Sequence, residues 1–120
     1  MKMHPMATDF AAATTARDPE LLRQLLTEDV RMRALLPAGS TEDHGREAVR
    51  ARFDKWFSGN VPQVAEAVGE DVGGERVVIH YRLFFALVEG PHVMTQTAVC
   101  SVHDGLIFRI NLLCSGYRRQ

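Results

Sequence analysis

Apolar and polar residues change their repeat near the middle of this 120-residue chain. In the first half, Met6, Phe10, Ala13 and Thr14 recur at helical spacing, and Ala11-Ala12-Ala13 leaves room for a close neighbour. A second helix is predicted to open at Asp18-Pro19-Glu20, after a corner at Arg17-Asp18. The Asp18 carboxylate can accept from orphan backbone N–H groups, Pro19 suits the first turn, and Glu20 meets the positive end of the dipole. Leu22, Leu25, Leu26 and Val30 give that helix one buried stripe. A third helix opens near Gly45, carries Val49, Phe53, Trp56 and Phe57 on one face, and ends at Ser58-Gly59-Asn60.

The second half alternates instead. Runs at Gln63–Val68, Arg76–Val88, Val93–Val102 and Leu106–Cys114 are rich in β-branched and aromatic residues. Gly73-Gly74, Glu89-Gly90-Pro91-His92 and His103-Asp104-Gly105 separate them, so four strands in a meander are predicted. In the last run strict alternation would put Leu106, Phe108, Ile110, Leu112 and Cys114 on one face and Ile107, Arg109, Asn111, Leu113 and Ser115 on the other. Helices first and strands second predict an α+β fold, with three N-terminal helices packed in a strongly curved, mainly antiparallel sheet.

Length and composition then narrow the function. The whole chain, 1–120, is the size of one domain, with an ordered core expected over about 6–117. Fourteen Lys and Arg against fifteen Asp and Glu give no basic field for a phosphate backbone, which argues against nucleic acid as a partner. No apolar run approaches the ~20 residues of a membrane span, and the first six residues lack the apolar core of a signal peptide, so a cytoplasmic location without membrane attachment is expected. Cys100 and Cys114 fall in two predicted strands and read as free thiols. No His, Cys, Asp or Glu set has metal-ligand spacing, so neither metal nor cofactor is expected.

Asp18-Pro19-Glu20-Leu21-Leu22, Thr27-Glu28-Asp29-Val30, Gly45-Arg46-Glu47-Ala48-Val49 and Asp104-Gly105-Leu106-Ile107 follow one another in an order that resembles the nuclear transport factor 2-like superfamily, above all its SnoaL-like branch. The resemblance runs from Phe10 to Tyr117. It implies a cone-shaped, cystatin-like α+β barrel with an apolar pocket at its open end, and homodimers through the outer sheet face. Members of that superfamily include ketosteroid isomerases, polyketide cyclases, scytalone dehydratase, limonene epoxide hydrolase and binding domains without catalysis. The positions that carry their chemistry differ here. The isomerase oxyanion tyrosine falls on Phe10, the isomerase base on Ala34, and the second oxyanion acid near Ala98. The terminal acid of the cyclases falls on Ser115. The Arg and Asp of the epoxide hydrolase strand fall on Arg82 and Phe84.

Other residues could supply chemistry. His80 and Arg82 share a strand face with Val78, Phe84 and Ala86; in a pocket they would offer a proton carrier and an anion-stabilising fork, and on the opposite reading they meet solvent or a dimer partner. His44, at the mouth of the third helix, could move a proton, bind a carbonyl or simply cap the helix. Asn111 is a polar intruder in a strand, suited to orient a carbonyl or to pair at a dimer face. Phe10, Phe53, Trp56, Phe57, Phe84 and Met94 could line a cavity or simply fill the core. Cys114 and Ser115 stand at the strand end where an acid is usual in the family. These residues predict a domain that binds a small hydrophobic molecule, with a cofactor-independent cyclase, dehydratase or isomerase acting on a polyketide-like substrate as its enzymatic form. The alternative is a non-catalytic dimeric assembly module whose pocket is filled by its own side chains.

Overall fold

The computed structural model describes residues 5–15, 18–59 and 61–119, and begins with helix α1 (Pro5–Thr15). On its buried side Ala7, Ala11 and Ala13 allow close approach while Phe10 fills the space between neighbours. Thr14 and Thr15 are buried as well, and their hydroxyls donate back to the carbonyls of Phe10 (3.0 Å) and Ala11 (2.7 Å), which satisfies them inside the core.

Helix α2 (Pro19–Leu25) begins as predicted: the Asp18 carboxylate accepts from the backbone N–H groups of Glu20 (3.1 Å) and Leu21 (3.2 Å). It does not continue to Val30. Leu26 turns extended (φ −110°, ψ 145°) and strand β1 (Leu26–Leu36) starts at once. Sheet pairing overrides local propensity here, because β1 lies parallel to strand β6 (Leu106–Cys114) and buries Leu26, Val30, Met32 and Ala34 on the core side. The alternation in Val30-Arg31-Met32-Arg33-Ala34 carries the two-residue period, which the helical spacing of the preceding leucines hides. Strand β2 (Gly39–His44) pairs antiparallel with β1 and is polar throughout, so hydrophobic patterning does not reveal it either.

Helix α3 (Arg46–Phe57) matches its prediction and buries Val49, Phe53 and Phe57. The Arg52 guanidinium donates to both oxygens of Asp43 (3.0 and 3.3 Å), pinning α3 to β2. Strands β3 (Gln63–Gly73), β4 (Arg76–Leu87), β5 (Gly90–His103) and β6 form the predicted meander, although β3 runs past Val68 and β5 starts at Gly90. The β5–β6 turn uses Asp104 (φ 52°) and Gly105 (φ 79°), two left-handed residues that match the twist of a tight hairpin. The curved sheet is open, ordered β2-β1-β6-β5-β4-β3, with β7 (Arg118–Arg119) paired to β5. Residues Arg17 and Asn60 and the segment before Pro5, on which the corner, the third helix end and the leader reading depended, lie outside the described residues.

One predicted face assignment changes. Val102 pairs with Ile107 while Ser101 pairs with Arg109, so Phe108 is an extra residue, a β-bulge. The bulge resets the alternation: Ile107 joins Ile110 and Leu112 in the core, and Phe108 turns outward. Across β4 and β5, Val77, Ile79, Tyr81, Leu83 and Phe85 face inward beside Met94, Gln96, Ala98 and Cys100. Against this inner face lie the helices, with Phe10 set edge-on to Phe53 (6.1 Å) and tilted on Tyr81 (6.0 Å).

Phe10 is the keystone of that packing, and Phe10→Ala is expected to cost about 3–5 kcal/mol in urea denaturation. A loss below about 1 kcal/mol would mean that the helix and sheet do not share this contact.

Candidate functional site

At one end of the helix–sheet interior the side chains leave a hollow of ≈ 180 Å³. Its wall combines Leu36 and Pro37 from the end of β1 and the turn after it, Trp56 from α3, Met94 and Gln96 from β5, and Cys114, Gly116 and Tyr117 at the end of β6. Gly116 makes the mouth possible. It is left-handed (φ 72°), and a Cβ there would stand 2.8 Å from Cγ of Pro37, so only glycine lets the chain close against the β1–β2 turn. Beyond it Tyr117 packs edge-on against Phe85 (4.9 Å), and the β7–β5 pairing anchors the segment.

Gln96 is the buried polar side chain of this wall, 1% exposed. Directly across the β4–β5 ladder, the Tyr81 hydroxyl donates to Gln96 Oε1 at 2.5 Å. That bond assigns the carbonyl oxygen to the core and leaves the amide N–H groups facing Cys114 Sγ (3.4 Å) and Met94 Sδ (3.7 Å). Thiol and thioether sulfurs are weak acceptors, so the amide N–H groups are held by poor partners within the wall. Burial raises the Tyr81 phenol far above its ordinary range, with the neighbouring Cys100 adding to the effect, so Tyr81 is a fixed neutral donor. Burial likewise raises the Tyr117 phenol, with Cys114 beside it as a further cause.

The sequence-predicted residues divide into several groups. Trp56, Met94 and Cys114 line the hollow. Phe10, Phe53 and Phe57 are fully buried in the core behind it. Ser115 is a structural tie: its N–H donates to the Thr95 carbonyl (2.9 Å), and its hydroxyl accepts from Thr95 N–H (3.0 Å) while donating to the Gly116 carbonyl (2.8 Å). His80, Arg82 and Phe84 project from the outer face of β4, away from the hollow. There a His80 ring nitrogen meets the Thr97 hydroxyl (2.7 Å), and Arg82 pairs loosely with Glu66 (3.6 Å) over the Phe84 ring. His44 and Asn111 border a separate groove on that outer side, and no side chain caps α3. The proposed proton carrier, anion fork and carbonyl-orienting amide are therefore not brought together around one cavity.

Sequence reading passed over Gln96 and Tyr81. The available signal was parity: Gln96 is the amide in the inward series Met94, Gln96, Ala98, Cys100, and Tyr81 stands opposite it. Among the described residues no three His, Cys, Asp or Glu side chains gather as a metal site, and no helix is long and apolar enough to cross a membrane.

Three helices against a curved, open, mostly antiparallel sheet define the cystatin-like, nuclear transport factor 2-like class of fold. Residues 7–110 match the SnoaL-like domain family, and the chain belongs to that family. A protein of ketosteroid isomerase-like fold from Catenulispora acidiphila, solved with trimethylamine, superposes with a TM-score of 0.73 at 17% identity, over 96% of this chain and 88% of its own. A cystatin-like protein from Silicibacter pomeroyi gives 0.66 at 20% identity, over 96% and 77%. A protein provisionally named a polyketide cyclase, from Sinorhizobium meliloti, gives 0.63 at 15% identity, over 92% and 94%. No curated protein matches the chain in sequence.

The inner-face thiol and phenol give a pH signature. Burial pushes the Cys100 thiol up to about 12, from the 9.0 of a free thiol. Above pH 9 the unfolded chain therefore releases a proton that the folded chain keeps, and stability falls as pH rises towards 12. The thiol alone contributes a slope of about 1.4 kcal/mol per pH unit in that window, and Tyr81 adds to it in the same direction. Urea denaturation at about pH 8 and about pH 10.5 is expected to show this loss, with a shallower slope for Cys100→Ala. Equal slopes in the two proteins would contradict the assignment.

Proposed function

We propose that the protein binds a small, neutral, largely apolar molecule carrying a hydrogen-bond acceptor, held in the hollow by the Gln96 amide. The observation that carries this reading is the Gln96 side chain, oriented by Tyr81 and offering its N–H groups to two sulfurs. A buried donor with poor partners favours any ligand that supplies a carbonyl or ether oxygen. The volume sets the scale: ≈ 180 Å³ is close to the roughly 150 Å³ of a cavity that holds benzene, so one ring or a short chain fills it. Trimethylamine, the ligand solved with the Catenulispora protein, is of the same small order.

The same wall favours binding over acid–base turnover. Its lining holds no carboxylate or imidazole, the side chains that most often abstract a proton near neutrality, and burial raises the Tyr117 phenol. The isomerase and cyclase names belong to structural neighbours that share the frame, and a shared fold does not by itself carry their chemistry to this chain.

Trp56 is the single tryptophan of the chain and lines the hollow, so its fluorescence reads occupancy directly. Cyclohexanone is expected to perturb it at concentrations about tenfold below those needed for methylcyclohexane, which has similar size and no acceptor. The double variant Gln96→Leu/Tyr81→Phe removes both partners of the buried bond together, which limits the cost in stability, and is expected to abolish the preference. No response to either compound, or an unchanged preference in the variant, would overturn the reading.

A second reading concerns assembly. On the outer face Leu35 and Leu113 are register partners, 53% and 57% exposed, and this exposed apolar pair supports the proposal that a second copy of the chain docks there. Leu113→Glu is expected to shift the protein from dimer to monomer in native mass spectrometry, and a monomeric parent protein would rule this out.

A further inference from the structure

The outer sheet face also carries a groove of ≈ 350 Å³, on the opposite side of the sheet from the hollow and independent of its ligand. Met32 and Ile110 contribute to its lining, and its polar side chains are Arg31, Arg33, Glu42, His44, Arg109 and Asn111. The fold brings these together through register. Arg31 is the ladder partner of both His44 on β2 and Arg109 on β6, and Arg33 is the partner of both Glu42 and Asn111.

The charges in this groove do not balance. Glu42 is taken up by Arg33, whose Nε and Nη2 both donate to Glu42 Oε1 (3.1 and 2.9 Å). Arg31 and Arg109 have no ion pair or hydrogen bond among the described residues, although they stand side by side on adjacent strands. Arg31 and Arg109 are both exposed, and since like charges at directly paired positions disfavour a sheet, an anion shared by the two guanidinium groups would relieve their repulsion. Guanidinium forks match planar or tetrahedral oxyanions through paired N–H donors, and His44 and Asn111 add further donors on either side.

We propose that this groove is an oxyanion-binding site for a small organic dianion, a phosphomonoester or a dicarboxylate, gripped between Arg31 and Arg109. Two unpaired cations set the charge of the ligand. The volume sets its size, since the groove is roomier than a bare phosphate ion requires and leaves space for an organic substituent. Leu35 and Leu113 lie four residues further along the same two strands, roughly 13 Å away, so a second copy seated there would border the anion site, and the test varies protein concentration to separate the two.

The test compares inorganic phosphate, succinate and chloride at matched ionic strength, reading the melting temperature and, by calorimetry, the affinity. Phosphate or succinate is expected to raise the melting temperature beyond chloride, the larger shift naming the ligand class. Arg31→Gln and Arg109→Gln are each expected to weaken binding at least about tenfold, the loss of a charge-assisted contact. Each should also melt higher than the parent protein in anion-free buffer, because the like-charge contact is relieved. Lys55→Gln, an equal charge change on the exposed side of α3, should bind as the parent does. The proposal fails if chloride matches the other anions, which would reduce the effect to screening, or if either arginine variant keeps the parent affinity. It also fails if the anion response disappears as protein concentration rises, which would assign the arginines to a second copy of the chain.

Discussion

The hydrogen bond from the Tyr81 hydroxyl to the Gln96 carbonyl oxygen is the constraint on which the interior is organised. The inner face of the sheet is otherwise apolar, and a lone phenol or amide placed there would lose its water without compensation. Pairing the two satisfies the phenol and half of the amide. It also orients the other half, because an amide that accepts through oxygen on the core side must present nitrogen on the opposite side. The ladder that makes Tyr81 and Gln96 exact neighbours, the aromatic stack of Phe53, Phe10 and Tyr81, and the glycine that closes the mouth all serve to hold that donor against a small apolar space.

Membership in the SnoaL-like family gives the frame and leaves the chemistry to the side chains at the hollow. Counting along the resemblance places polar groups of related enzymes at Phe10, Ala34, Ala98 and Ser115. In the structure Phe10, Ala34 and Ala98 are fully buried on the core side, where none of them offers a polar group. Ser115 spends its hydroxyl on backbone groups at the strand end. The hollow is lined by an amide, a thiol and a phenol, with no carboxylate among its lining residues. An amide donates a hydrogen bond at every physiological pH and titrates at none, which is the property the binding proposal draws on.

Much of the fold was legible because local chemistry and tertiary need agreed. Asp18-Pro19-Glu20 is a helix start in any context, Asp104-Gly105 is a hairpin turn, and the α3 stripe points to the same side that the sheet covers. Where they disagreed, patterning misled. Leu22, Leu25, Leu26 and Val30 satisfy a helical period, yet the parallel pairing with β6 turns the chain extended at Leu26. The polar β2 has no hydrophobic code at all, and the bulge at Phe108 reverses the alternation on which the β6 faces were assigned. The site suffered most from the same cause. His80 and Arg82 carry conspicuous chemistry, but strand parity sends them outward, while Gln96 gains its meaning only from the Tyr81 hydroxyl that another strand delivers.

The most direct measurement is the side-chain amide resonance of Gln96 in a nitrogen-edited NMR spectrum of the protein titrated with a small cyclic ketone. This N–H pair is expected to move downfield and saturate together with the Trp56 indole, while the Asn111 side-chain amide on the outer face stays still. A Gln96 amide that does not respond while Trp56 does would overturn the proposed binding mode, because the hollow would then hold its guest without that donor.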